Sequence, residues 1–389
     1  MAMENVYIAA ATRTASGKAP RGTLKDYRPD DMAAAVLTEV VKRAGIEAAQ
    51  VQDVTLGCAI PEQAQGMNVA RVAAIDAGMP DTVSASTINR FCSSGLEAMS
   101  IIGAKIEAGL LDIGIGGGTE SMSMVSMPGA KVAPNPRLSR ERPEVYIAMG
   151  NAGDNVARDF KITREELDEF ALGSNQKAVA AIEAGKFKDE ITPLEMPEGS
   201  SVLVFDTDEG PRKDTTLEAL AGLRPAFAAS PKLGTHTAGN SSQTSDAAAA
   251  VVLMSAKAVE ETGAKPIAKF LSYNVAADSP KYLGPAQLVA IPRALELAGI
   301  KKEDVGLFEI NEAFASVAIY VTRELGLDPE KVNVNGGAIA LGHPMGATGA
   351  KLSTQIINEM RRRGEKYGVV TMCIGGGQGA AGVFELIDN

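Results

Sequence analysis

The chain has 389 residues, is 45% hydrophobic and 22% charged, and carries a formal net charge of −10 with three cysteines. That is enough for two or three domains around a sizeable core, and the composition excludes a disordered protein. The acidic balance argues against nucleic acid or an anionic membrane as partner, and three widely spaced cysteines give neither a disulfide framework nor a CxxC metal site, which fits a reducing compartment. No leader pattern and no apolar run of membrane-spanning length is found, so a cytoplasmic protein is expected.

In chain order, Val6–Ala11 reads as a strand, followed by a basic loop from Arg13 to Arg28. Asp30 is expected to cap a helix whose apolar positions Met32, Val36, Leu37, Val40, Val41 and Ala44 share one face and which stops at Gly45. Asp53–Cys58 reads as a short strand with Cys58 a small buried residue, and a helix follows around Val69–Gly78. A β-branched segment then runs into Asn89-Arg90-Phe91-Cys92-Ser93-Ser94-Gly95, after which Leu96, Met99, Ile102, Ile106 and Leu110 recur at helical spacing. Cys92 therefore sits where a strand turns into a helix. Unpaired backbone N–H groups and the helix dipole are expected to lower its thiol pKa there and make it a nucleophile. The strand Asp112–Gly118 follows.

From Thr119 the composition shifts to Ser, Met, Pro and Asn, the mark of a separate loop-rich layer. Within it Thr163-Arg164-Glu165-Glu166 is a capping box for a helix that ends near Gly185. The chain returns through Gly234–Asp246. An alanine-rich helix or tight turn, braced by Asp246, is expected before a strand at Ala250–Ser255. His236 reads as a hydrogen-bonded loop residue.

The last third repeats the first. Ala44-Gly45-Ile46 with Val51 recurs as Ala298-Gly299-Ile300 with Val305, and Cys92-Ser93-Ser94-Gly95 faces Gly346-Ala347-Thr348-Gly349, both at a separation of 254 residues. Ile115-Gly116-Gly117-Gly118 matches Ile374-Gly375-Gly376-Gly377. Two layered α/β halves with pseudo-twofold symmetry are implied, each with its own sheet, residues 119–239 being an insertion in the first. His343 is then the counterpart of Asn89, and if the two loops meet, an imidazole lies beside the Cys92 thiol and can take its proton. Cys373 offers a second acid–base thiol beside the amides of a glycine turn suited to an oxyanion. The formal GxGxxG from Gly377 to Gly382 opens no helix and lacks the following acidic residue, so a dinucleotide site is rejected. Asn311, at a strand end, can hold a water or a carbonyl oxygen, or cap a helix.

At these residues the chain resembles the thiolase family. The likeness rests on Asn89–Gly95, Asn311-Glu312-Ala313-Phe314, Gly342-His343-Pro344 with Gly346-Ala347-Thr348-Gly349, and Cys373–Gly377, in the family's order along essentially the whole chain. It implies a five-layered α/β/α/β/α fold: an N-terminal half over residues 1–118 completed by about 240–265, a loop domain over 119–239 covering coenzyme A, and a C-terminal half over 266–389. It also implies a homodimer or homotetramer acting on CoA thioesters, with coenzyme A as substrate and neither a metal nor a bound cofactor. Cys92 resembles the acyl-accepting nucleophile, His343 its base and an oxyanion donor, and Cys373 the acid–base for the α-proton. Asn311 resembles the holder of a water in one oxyanion hole, while the amides of Cys92 and Gly375 match the other. Ser242 resembles a pantetheine contact and Arg212 a basic residue near the CoA nucleotide.

The reaction implied is thiolysis of 3-ketoacyl-CoA in β-oxidation, with acetoacetyl-CoA formation by condensation as the alternative and an inactive CoA-binding scaffold as a weaker one. A carrier-protein ketosynthase would use two histidines with one cysteine, which Cys373 and the Asn-Glu-Ala-Phe motif oppose. Pro134-Asn135-Pro136, and the absence of histidine from Tyr146–Gly150, resemble the degradative branch. Leu283-Gly284-Pro285 and Asn151-Ala152-Gly153-Asp154 depart from the family pattern and bear on acyl-chain length.

Overall fold

The computed structural model describes residues 2–3, 5–199, 201–227 and 234–387. The first part of the chain forms strands β1 (Tyr7–Thr14), β2 (Gly17–Lys18), β3 (Asp53–Gly57), β4 (Ser84–Ile88) and β5 (Ile113–Ser121) with helices α1 (Pro29–Ala44), α2 (Val69–Asp76) and α3 (Ser94–Glu107). An excursion then carries α4 (Pro136–Glu141), α5 (Met149–Asp159), α6 (Arg164–Glu183), β6 (Ile191–Thr192), a hairpin of β7 (Leu194–Glu198) and β8 (Ser201–Phe205), and α7 (Leu217–Ala221). Strand β9 (Ser245–Met254) and α8 (Ala256–Thr262) return to the first unit. The remainder supplies β10 (Ala268–Ala277), α9 (Gln287–Ala298), β11 (Leu307–Ile310), α10 (Ala315–Glu324), α11 (Ala338–Leu341), α12 (Met345–Arg363), β12 (Tyr367–Ile374) and β13 (Gln378–Leu386).

The internal repeat survives strand by strand. The order β1-β9-β5-β3-β4 makes two antiparallel steps and then two parallel ones. The order β10-β13-β12-β11 makes the same steps, and Val332 bridges Phe308 in parallel where a fifth strand would lie. Helices α1 and α9 both end on a glycine at φ +69°, Gly45 and Gly299, the left-handed position that costs a residue without Cβ little. The expected pair of separate sheets is corrected in one respect. A short antiparallel pairing, Tyr7 with Lys269 and Ile8 with Ala268, joins both ladders into one eleven-stranded sheet.

Three apolar clusters separate the layers. Met32, Val36, Leu37 and Val40 of α1 pack on Val54, Leu56 and Val252 on one outer face, and Ala290, Ile291 and Val321 of α9 and α10 pack on Phe308, Val369 and Val383 on the other. Between the half-sheets lie α3 and α12, through Leu96, Met99, Ile102, Ile356 and Met360. The stacking is α/β/α/β/α.

Three local expectations are corrected. Asp30 does not cap α1: Pro29 fills the first helical position after Arg28, and Asp30 in the first turn instead receives the Arg28 guanidinium at 2.9 Å. Strand β1 outruns its apolar stretch because Arg13 is buried and held at 2.8 Å by both Glu190 and Asp208, which ties the excursion to the core. The alanine-rich segment is neither helix nor turn but part of β9, a ten-residue strand buried along its whole length. With α1 on one face and α12 on the other, the strand shows no polar alternation, and alanine lets both helices come close. Asp246 therefore has no such turn to brace: it lies in β9 and instead accepts hydrogen bonds from both the amide and the hydroxyl of Ser123, just after β5.

Gly114, Gly116 and Gly118 of β5 are required by the central helices. A Cβ on Gly116 would stand 2.5 Å from the Cα of Met99, and one on Gly118 would run into the carbonyl of Gly346. Gly118→Ala is therefore expected to destabilise the fold by about 3 kcal/mol, the upper end for overpacking, seen as a clear fall in the thermal midpoint. A wild-type midpoint would show that α12 can move away.

Candidate active site

The site is built where the N-termini of α3 and α12 meet. A Cβ on Gly95 would lie 2.9 Å from the Ala350 amide, and one on Gly349 would lie 2.6 Å from the Cβ of Leu96, so these two pseudo-equivalent glycines let the helices touch. Cys92 precedes α3 in a short turn, Phe91–Ser93, entered through Phe91 at φ +43°. A left-handed phenylalanine is strained and must be held. Ser94 holds it, accepting from the Arg90 amide at 2.8 Å and donating to the Phe91 carbonyl at 2.7 Å, while Asn89 accepts from the Phe91 amide at 2.8 Å. Behind the turn Arg90 and Tyr273 both bind Glu97, at 2.7 and 2.6 Å, and Tyr273 meets Ser93 at 3.1 Å.

His343 enters between α11 and α12 and is buried. Its Nδ1 lies 2.6 Å from the Thr348 hydroxyl, which itself donates to the Pro344 carbonyl at 3.0 Å. With that hydroxyl proton committed, Nδ1 must be the N–H and Nε2 the free base. Nε2 lies 3.3 Å from the side-chain amide of Asn311, which follows β11. Asn311 is not a helix cap; Phe314 occupies that position for α10. Cys373 lies one residue from the end of β12, and the turn that follows places Gly376 and Gly377 at φ +86° and +77°. The Gly375 amide is thereby aimed at the Cys92 sulfur.

Cys92, His343, Cys373, Gly375 and Ser242 line one cavity of about 220 Å³, whose walls include Met122, Met149, Leu283 and Phe314. Asn311 sits behind His343. Arg212 is not brought there: it is exposed beside a neighbouring recess that shares Gln243 with the cavity. A larger groove of about 520 Å³ between α6 and α10 contains neither thiol nor imidazole, so the chemistry belongs to the smaller space. Among the described residues no cluster of three or more His, Cys, Asp or Glu side chains could hold a metal ion.

The electrostatics reverse one expectation. Burial pushes the Cys92 thiol up to about 12, against the pull of the Gly375 amide and its own, with the Glu120 charge adding to the rise. Burial and the Lys351 ammonium bring His343 down to about 3. Desolvation thus outweighs the helix tip, and both shifts favour the uncharged forms, a thiol and a neutral imidazole. Cys373 is also raised by burial and by its proximity to Cys92. His236 is a brace, with Nδ1 2.9 Å from Asp154 and its ring edge-on to Phe314.

Several supporting residues went unassigned in the sequence. The Glu120 carboxylate accepts from the amides of Ala59 and Gly346 at 2.7 and 2.8 Å, clamping the α12 N-terminus to the first half. Glu312 binds Ser174, Asn333 and the Ile339 amide at 2.6 to 3.2 Å, holding the loop that leads to His343. Glu120 stands two residues past the strand pattern that ends at Gly118, and Glu312 stands in a quoted motif, yet only their long-range partners reveal what they do.

Residues 6–257 match the thiolase N-terminal domain family and residues 264–386 the thiolase C-terminal domain family. The chain belongs to the thiolase family. It is 50% identical to a 3-ketoacyl-CoA thiolase of Bacillus subtilis, covering 99% of this chain and all of that one. It is 44% identical to the acetyl-CoA acetyltransferase of Pseudomonas aeruginosa, covering 97% and 98%. The crystal structure of the Bacillus anthracis acetyl-CoA acetyltransferase superposes with a TM-score of 0.89 at 42% identity, covering 99% of this chain and 100% of that chain. This thiolase is accordingly an acyltransferase.

With Cys92 neutral at rest, its alkylation by iodoacetamide in the absence of substrate is expected to accelerate continuously from pH 7 to at least pH 9. A plateau already reached below pH 7 would mean a resting thiolate–imidazolium pair instead.

Proposed function

We propose that this thiolase cleaves 3-ketoacyl-CoA with free CoA through an acyl group carried on Cys92, as a step of fatty-acid degradation. The observation that carries the reading is the convergence of two thiols, one neutral imidazole and the Gly375 amide in a single cavity with apolar walls. His343 Nε2 takes the Cys92 proton as sulfur adds to the C3 carbonyl, so the charge appears only as the bond forms. The amides of Gly375 and Cys92 receive the carbonyl oxygen. The C2–C3 bond then breaks, the acetyl-CoA enolate is held by the His343 Nε2–H and a water on Asn311, and Cys373 protonates its carbon. In the second half the Cys373 thiolate takes the proton of CoA–SH, CoA sulfur attacks the acyl-Cys92, and His343 returns its proton to Cys92. Coenzyme A is a substrate throughout and the steps call for no metal.

Residues 119–239 act as the loop domain over CoA: Met127, Met149 and Phe227 form walls of the cavity. Ser242 is read as a pantetheine contact and Arg212, in its separate recess, as a contact nearer the nucleotide. The open edge of β4, with exposed Val72 and Ile75 on α2 beside it, supports a homo-oligomer. Relatives named acetyl-CoA acetyltransferase favour a second reading, in which the same groups run mainly in the condensing direction.

Steady-state assays with acetoacetyl-CoA and a long-chain 3-ketoacyl-CoA separate the two, the degradative reading requiring the higher kcat/KM on the longer substrate. Cys92→Ala is expected to lose at least ~10⁴-fold in rate, and His343→Ala and Cys373→Ala ~10²- to 10⁴-fold. Cys373→Ala should still take an acyl group onto Cys92, detected by mass spectrometry. An active Cys92→Ala enzyme would remove the proposed nucleophile.

A further inference from the structure

Lys351 lies in the middle of the molecule and is only 2% exposed. Its ammonium donates to the carbonyls of Leu341 at 2.7 Å and Gly342 at 2.9 Å, the two residues immediately before His343. These carbonyls end the one-turn helix α11, where the backbone swings through Gly342 at φ +82° to release the histidine. We propose that Lys351 is a positioning residue for His343: its ammonium fixes the loop that carries the imidazole and keeps a positive charge behind the ring. It does not touch the cavity; of the other titratable groups around His343, burial pushes the Cys92 and Cys373 thiols up, and the Glu120 carboxyl is held against the Gly346 amide.

The charges around the ammonium explain how it survives burial. Asp208 and Glu190 come from the excursion, Arg13 from β1 and Glu309 from β11. Arg13 engages Asp208 through two nitrogens at 2.8 Å and Glu190 through a third. Two carboxyl groups, Asp208 and Glu190, against one guanidinium leave room for a second cation, and Lys351 supplies it; burial and the neighbouring Glu312 push Glu309 up. Burial pulls its pKa down to about 8, with Asp208, Glu190 and Glu309 opposing the fall and Arg13 adding to it. Its field in turn adds to the burial that disfavours protonation of His343, which weakens the ring as a proton acceptor, so what Lys351 gives the base is the position of its loop. Two backbone hydrogen bonds and one charge thus act on the same loop, and a substitution can separate them.

Lys351→Gln keeps donors for the two carbonyls but removes the charge; Lys351→Arg keeps the charge. The proposal rests on His343 being the base, so the experiment reads the ring itself as well as turnover. With ¹³C-labelled histidine the chain gives two histidine signals to follow. The His343 ring of the wild type is expected to stay neutral down to pH 5, that of Lys351→Gln to gain its proton at a higher pH than the wild type, and that of Lys351→Arg to follow the wild type. In acetoacetyl-CoA cleavage at pH 7, Lys351→Gln should lower kcat about tenfold with KM within about twofold, and Lys351→Arg should recover most of the loss. A ring that titrates alike in wild type and Lys351→Gln, or a wild-type ring that titrates near 6.5, overturns the proposal, the latter even if the glutamine variant fails to fold. Loss of turnover in Lys351→Arg equal to that in Lys351→Gln would reduce Lys351 to a structural role. Absence of cleavage by the wild type would instead count against the proposed function and leave the ring titration to stand on its own.

Discussion

The contact on which everything else depends is the one between α3 and α12. Two helices can approach at backbone distance only where neither presents a side chain, and Gly95 and Gly349 provide that at equivalent positions of the two halves. Because the helices meet at their N-terminal ends, the turns that precede them come together as well. The thiol of one half and the imidazole of the other therefore share a cavity although 250 residues separate them in the chain. The glycines of β5 extend the same logic, seating both helices on strand backbone.

Placing this junction at the centre of five layers has an electrostatic consequence. Water is excluded, so desolvation dominates, and both members of the pair are neutral at rest. Such a site does not store a reactive thiolate. It creates one when a carbonyl arrives to receive the charge, with fixed amides in place to stabilise it. Charged groups are present close by, but each is neutralised by partners: Glu120 by backbone amides, Arg13 by two carboxylates, Lys351 by carbonyls and acids. These buried groups do mechanical work, locking the excursion and the two halves in one arrangement.

Much of the outline was legible in the sequence because it is written locally. Helix stops at Gly45 and Gly299, the capping box at Thr163, and the repeated glycine-rich strand ends each follow from short-range chemistry, and their repetition gave the two halves. What failed was what burial on both sides erases. The alanines of β9 have no polar face to set a period of two, and Arg13 reads as loop because its carboxylate partners lie some 180 residues away.

The sequence alone determined which atoms are available for chemistry, two thiols and an imidazole placed next to glycine turns, and that they lie at matching points of a duplicated unit. Only the tertiary structure decided their protonation and their support. A pKa depends on solvent exclusion and on charges drawn from several elements, and a residue such as Lys351 acquires its place only when α12, α11 and the excursion have packed around it. Local pattern records where a chain bends and what it carries; it does not record how deeply a group is buried or which distant charge it faces.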